Sequence, residues 1–208
     1  SCIYVGDKLD RDILGAQRAG FMAAIQIKNS SDCDEPDIEI EPYDVIDDMK
    51  DLLPILKKIQ LNGSVSESMR NTRKIKAIFF DAGDILYFRP QKNRHVNNFL
   101  ESRNILLDQK FDLQLRQLRD MAFPGKIKRH DYYVQLLQVY GITDHQEIQE
   151  GITSLKADDE AAEIIDGAPE TVKNLKDMGF ILGIITDTVL PYSMKLGWFD
   201  NHGFGRVW

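Results

Sequence analysis

Short apolar runs alternate along this chain with stretches whose apolar residues recur at helical spacing, and that alternation predicts a parallel α/β fold. Cys2 to Val5 reads as a short buried strand ending in Gly6-Asp7. Ile13, Leu14, Ala16 and Ala19 then fall at helical spacing, with Gly20 as the stop signal. Phe21 to Ile27 is a second apolar strand, followed by an acidic, turn-rich loop from Asn29 to Asp37. Ile38 and Ile40 alternate with Glu39 and Glu41, the pattern of a half-exposed short strand. From Tyr43 to Ile59 the positions Val45, Ile46, Met49, Leu52, Leu53, Leu56 and Ile59 mark one amphipathic helix, with Pro54 at its centre.

Asn62 to Arg73 is polar and Ser-rich and reads as a linker. Lys74 to Phe80 is then a buried strand ending at Asp81-Ala-Gly-Asp84. Helical patterns follow at Val96 to Leu107, Leu113 to Met121, Asp131 to Tyr140 and His145 to Leu155. Asp166 to Pro169 is a turn that opens a helix, Glu170 to Met178, closed by Gly179. Phe180 to Ile185 is another buried strand, ending in Thr186-Asp-Thr188, and Gly203 to Trp208 reads as the start of one more. A parallel sheet buries both faces, and open α/β sheets place ligands at the carboxyl ends of their strands. Three polar clusters occupy such ends: Gly6-Asp7, Asp81 to Asp84, and Thr186 to Thr188. The helical block at about residues 91–165 interrupts the alternation and reads as an inserted cap.

The composition sets limits on partners. Of 208 residues, 43% are apolar and 28% charged, enough apolar surface for a globular core. Apolar runs such as Ala77 to Phe80 are far shorter than the ~20 residues of a membrane span, so no membrane partner is expected. The net charge of −7 argues against a nucleic-acid binder, which needs clustered Lys and Arg. It suits a cation, or a small phosphorylated metabolite held at a local positive site. Two cysteines, Cys2 and Cys33, make neither a disulfide framework nor a zinc site, and a cytoplasmic setting is the default. The sequence lacks an initial Met and enters a strand almost at once, which predicts a piece of something larger.

Three strand ends carry candidate chemistry. The Asp7 to Asp12 turn places carboxylates where they can ligate one hard cation, and Mg²⁺ needs only one or two of them beside water and phosphate. The same turn reads equally as a helix start, where Asp is favoured. Asp81 follows the most apolar strand, placed to attack phosphorus, or simply to form a turn before Gly83. The Thr186 hydroxyl is placed to bond a phosphoryl oxygen, and threonine is common at strand ends for no functional reason. Lys126 to His130, in the cap, reads either as a receiver for an anionic group or as a solvated face.

Taken together, these motifs resemble those of the haloacid dehalogenase-like (HAD-like) hydrolases, most of which are Mg²⁺-dependent phosphatases. The first motif of that superfamily is similar to Phe80-Asp81-Ala-Gly83-Asp84-Ile85-Leu86, and the second to Ile184-Ile185-Thr186-Asp187-Thr188. The fourth is similar to Val5-Gly6-Asp7-Lys-Leu-Asp-Arg-Asp12 and its continuation to Phe21. The resemblance implies a Rossmann-like three-layer parallel sheet with an inserted helical cap. It implies phosphate monoester hydrolysis through an aspartyl-phosphate on Asp81, with Thr186 as phosphoryl anchor. Mg²⁺ would be held by Asp81, the Gly83 carbonyl, and Asp7 or Asp12.

The motif order is permuted. The fourth motif precedes the first, and no third-motif Lys follows, since Lys195 comes too early for that role. This order is read as a segment of a tandem protein, with a circular permutation as the alternative. In one, residues 1–61 are the tail of one HAD-like core, 62–73 a linker, and 74–208 the front of a second core, in tandem. In the other, a circular permutation docks both segments in one sheet and unites Asp7, Asp12 and Asp81; an undocked half-sheet would self-associate through its exposed edge. Gly83 also stands where the family carries its general acid, and Ile85 where Thr is usual. That departure predicts impaired catalysis, or a non-catalytic phosphate- and Mg²⁺-binding regulatory module.

Overall fold

The computed structural model describes residues 1–28, 40–62, 74–105 and 109–208. Its backbone falls into two compact units. The first joins Ser1–Phe88, Ile164–Thr186 and Trp198–Trp208, and the second joins Arg89–Glu163 to Asp187–Gly197.

The first unit is built on a five-stranded parallel sheet of β1 (Cys2–Gly6), β2 (Ala23–Ile27), β3 (Asp44–Ile46), β4 (Ala77–Phe80) and β7 (Ile181–Ile184), in the order β3-β2-β1-β4-β7, with the short strands β5 (Tyr87–Phe88) and β6 (Glu163–Ile164) outside it. The chain therefore winds outward from β1 to β3 on one side and from β4 to β7 on the other. With right-handed crossovers, opposite directions of winding put the connecting helices on opposite faces. Helix α1 (Leu14–Arg18) packs its Ala16 against Tyr4 and Ala24 on one face. Helices α2 (Leu52–Asn62) and α7 (Ala168–Asp177) contact each other, as crossovers in the opposite direction require. The α/β sheet with helices on both sides is the expected Rossmann-like fold.

Parallel register lines the faces up row by row. Ala24, Tyr4, Phe79 and Gly183 are successive partners across four strands, and Ile25, Val5, Phe80 and Ile184 form the next row on the opposite face. Gly183 has no room for a side chain, because a Cβ there would lie 2.7 Å from the Phe79 ring. Tyr4 and Ala24 on one face and Val5, Ile25 and Phe80 on the other are buried, consistent with a sheet covered on both faces.

Local structure departs from expectation at several places. The single helix read over Tyr43 to Ile59 is instead β3, a 3₁₀ turn (Met49–Asp51) and α2. Backbone bonds to β2 at both ends, Tyr43 N–H to the Ala24 carbonyl and Lys28 N–H to the Ile46 carbonyl, hold residues 43–46 extended. Asp48 then caps the turn by accepting from the Lys50 N–H at 2.8 Å. Pro54 falls in the first turn of α2, where its missing N–H costs nothing. The strand read at Ile38 and Ile40 does not form at Ile40, and Ile38 lies outside the described residues with the loop at 29–37 and Cys33. Of the linker, 63–73 lies outside them too, and Asn62 ends α2.

A further departure is Gly203 to Trp208, which forms no strand. After α8 (Tyr192–Asn201) the chain turns so that Phe204 and Trp208 join Phe199 in a ring cluster, with Phe80 against Trp208 at 6.2 Å.

In the second unit, α3 (Arg94–Glu101), α5 (Arg129–Val139) and α6 (His145–Glu160) share a core of Val96, Phe99, Leu100, Tyr133, Leu137, Ile148 and Ile152. Helix α4 (Asp112–Ala122) packs on α5. The first of these helices, read as reaching Leu107, ends at Glu101; residues 102–105 turn, with the Ile105 N–H on the Leu100 carbonyl, and 106–108 lie outside the described residues. Arg129 is not on a solvated face: it donates to the Tyr133 hydroxyl at 2.8 Å and to Asp159. Among the described residues, no helix is long and apolar enough to cross a membrane.

Candidate metal centre

Strands β1 and β4 are neighbours from which the chain departs in opposite directions, so their carboxyl ends flank the point where an open α/β sheet forms its ligand crevice. Asp7 follows β1 and Asp81 follows β4. The ladder continues one step past the strand, with the Asp81 N–H bonded to the Val5 carbonyl at 2.9 Å, and this fixes the height of Asp81 above the sheet.

Asp12 reaches the same place through a π turn (Leu9–Ile13) that follows Gly6-Asp7. The wide turn is closed by Asp12 and Ile13 N–H groups on the Lys8 carbonyl at 2.8 and 3.1 Å, and the Lys8 N–H returns a bond to Asp12 Oδ2 at 3.0 Å. π turns recur at functional sites because they re-aim side chains that a regular helix would hold elsewhere.

One carboxylate oxygen from each of Asp7, Asp12 and Asp81 lies within 4.8 Å of the others, and all three residues are buried. Such hard, anionic oxygens suit Mg²⁺. Asp7 Oδ1 is buried with no hydrogen-bond partner, a cost that a coordinated cation would remove. The donor set therefore fits the ion.

Two bases compensate the acids. Arg11 donates from Nε to Asp12 Oδ1 and from Nη2 to Asp81 Oδ2, both at 2.8 Å, and its Nη2 lies 3.9 Å from Asp7 Oδ1. Lys8 Nζ is 3.1 Å from Asp7 Oδ2. Burial, with a hydrogen bond shared with Asp12, pushes Asp7 up to about 6 against the pull of Lys8. Burial acts on Asp12 too, yet bonds from Arg11 and the Lys8 N–H hold it below the usual carboxylate range. Asp81 is raised by burial and by the Asp12 charge, against hydrogen bonds from the Ala82 N–H and the Thr186 side chain.

Thr186, just beyond β7, is thus at the Asp81 carboxylate, so all four predicted side chains converge. Gly83 lies in the loop after Asp81, bridged to Tyr87, and a Cβ there would meet nothing within 4 Å. Arg11 and Lys8 were quoted in the motif without roles; the signal that marks them is two basic residues inside an acidic turn, Arg11 four positions after Asp7.

Residues 1–52 match the model of the family described as HAD-hydrolase-like. Over this stretch the chain is similar to that family. The parallel sheet continues through β4 and β7, which follow residue 74. No curated protein matches the chain. Among solved structures it is similar to the HAD-hydrolase YfnB from Bacillus subtilis bound to magnesium, at 20% identity and a TM-score of 0.35, over 55% of this chain and 53% of that one. The chain thus spans about half the length of that protein.

Proposed function

We propose that the Asp7, Asp12 and Asp81 cluster binds Mg²⁺ and that Asp81 is the nucleophile of a phosphate monoester hydrolysis. One observation carries this reading: buried carboxylates from two remote segments meet within 4.8 Å, one of them with an oxygen left unbonded. Asp81, the Gly83 carbonyl, and Asp7 or Asp12 would hold the ion, whose charge would screen the repulsion between carboxylate and phosphate. An Asp81 oxygen attacks phosphorus, the bond to the leaving oxygen breaks, and the phosphoryl group rests on Asp81 until water releases it. The Thr186 hydroxyl, which donates to Asp81, has one proton and would turn it to a phosphoryl oxygen as substrate binds.

The leaving oxygen must also gain a proton, and Gly83 offers none. Loss of a general acid costs on the order of 10²–10⁴ in rate, so good leaving groups are favoured. The test is turnover of para-nitrophenyl phosphate with and without Mg²⁺; activity that survives Asp81→Asn removes Asp81 from this role. Gly83 also favours a second reading, a non-catalytic module that binds Mg²⁺ and phosphate. Beryllofluoride binding without turnover would support it.

Residues 1–61 and 74–208 then act as complementary parts of one core. Support comes from the in-register pairing of β1 with β4, Cys2 opposite Ala77. The substrate class is a small phosphorylated metabolite, in a cytoplasmic setting.

A further inference from the structure

We infer that Arg11 is an internal counter-cation of this site, holding the three carboxylates together in the metal-free protein and giving way when a divalent ion enters. The inference rests on the Mg²⁺ reading above. Its ground is the placement of one guanidinium against all three acids: Nε on Asp12, Nη2 on Asp81, and the same Nη2 at 3.9 Å from Asp7. Three buried carboxylates so close would repel one another strongly without a cation among them.

A divalent ion ligated by the same oxygens cannot share them with the guanidinium without bringing like charges into contact. Asp81 Oδ2 is engaged at 2.8 Å and would have to exchange its donor for the ion. Arg11 can leave without opening the core, because its side chain is 53% exposed while those of Asp7, Asp12 and Asp81 are 3%, 5% and 8% exposed. The acids are fixed by the sheet and the π turn, and the base is on a flexible stem that reaches in from solvent. The mobile partner of the cluster is the cation.

Calorimetric Mg²⁺ titration of the wild-type chain, Arg11→Gln, Arg11→Lys and Asp12→Asn tests this, with thermal melts of each. Arg11→Gln should bind Mg²⁺ ~10-fold more tightly, within the 5- to 150-fold range of ordinary coupling. Its metal-free melting temperature should fall and be restored by Mg²⁺, while Arg11→Lys, cationic but without the planar fork, lies between. Asp12→Asn should lose binding. A wild-type chain that binds Mg²⁺ through Asp12, with Arg11→Gln no tighter, overturns the Arg11 inference and leaves the Mg²⁺ reading standing. No binding by any of the four overturns both. Nitrogen-15 NMR of the wild-type chain covers a variant that fails to fold: the Arg11 Nε–H resonance should be protected from exchange without Mg²⁺ and exposed with it, and a signal indifferent to Mg²⁺ refutes the displacement.

Discussion

A Cβ on Gly6 would stand 2.6 Å from the Cβ of Asp12 and 2.9 Å from Cε1 of Tyr4. The π turn thus lays Asp12 directly on the end of β1, and only a residue without a side chain leaves room for it. Gly6→Ala should therefore cost about 1–3 kcal/mol, the usual range for overpacking, and weaken Mg²⁺ binding by moving Asp12. Urea denaturation and a Mg²⁺ titration of the same sample check both parts.

Gly83 is the opposite case, since nothing lies within 4 Å of a Cβ built there. Gly83→Asp should leave stability within about 0.5 kcal/mol of wild type. On the proposed mechanism it places a proton donor two residues after Asp81, and turnover of alkyl phosphates should rise by about 10²–10⁴. Steady-state rates on alkyl and nitrophenyl phosphates measure the gain, which should be smaller for the better leaving group.

Asp7, pushed up to about 6, binds its proton more tightly in the folded chain than in the unfolded one, where a carboxyl titrates at about 3.9. Its contribution to stability is full below the unfolded value and is lost as pH rises through about 6. Asp12, held low, acts in the opposite sense and only as pH falls below its unfolded value. The metal-free chain should thus lose melting temperature between pH 4.5 and 7, Asp7→Asn should flatten that slope, and Mg²⁺ should reverse it, because ligation requires the deprotonated acid. Melts at the two pH values, with and without Mg²⁺, give the comparison.

In the second unit, buried Asp158 on α6 accepts from the His95 and Val96 N–H groups, each at 2.9 Å, and so caps α3. Asp158→Ala strands two donors at a helix start and should cost about 1–3 kcal/mol. Hydrogen exchange of the α3 amides should accelerate with the loss, and Asp158→Asn, which keeps one acceptor, should recover part of it.

The repeated pattern of apolar runs ending in polar clusters was enough to place β1, β2 and β4, because strands buried on both faces read as nearly continuous apolar runs, and β7 keeps such a run at the sheet edge although Ile181 is 64% exposed. It was enough also for the helices of the second unit, whose 3.6-residue spacing is a local property. At β3 the pattern misled: Val45 is 40% exposed while Ile46 and Met49 are buried, so residues that mimic one helical stripe are buried by different partners. An edge strand takes its conformation from the strand beside it, and β2 is remote from it in local pattern.

Residue types and spacing along the chain specified which acids and hydroxyl were available: Asp7, Asp12, Asp81 and Thr186. Their convergence came from long-range pairing, since the side-by-side docking of β1 and β4 depends on backbone bonds between segments that carry no mutual signal in their order. The part played by Arg11 belongs to the same level. A guanidinium on a flexible stem finds its partners in three dimensions, and its nearest acid across the site, Asp81, is known only once the sheet has formed.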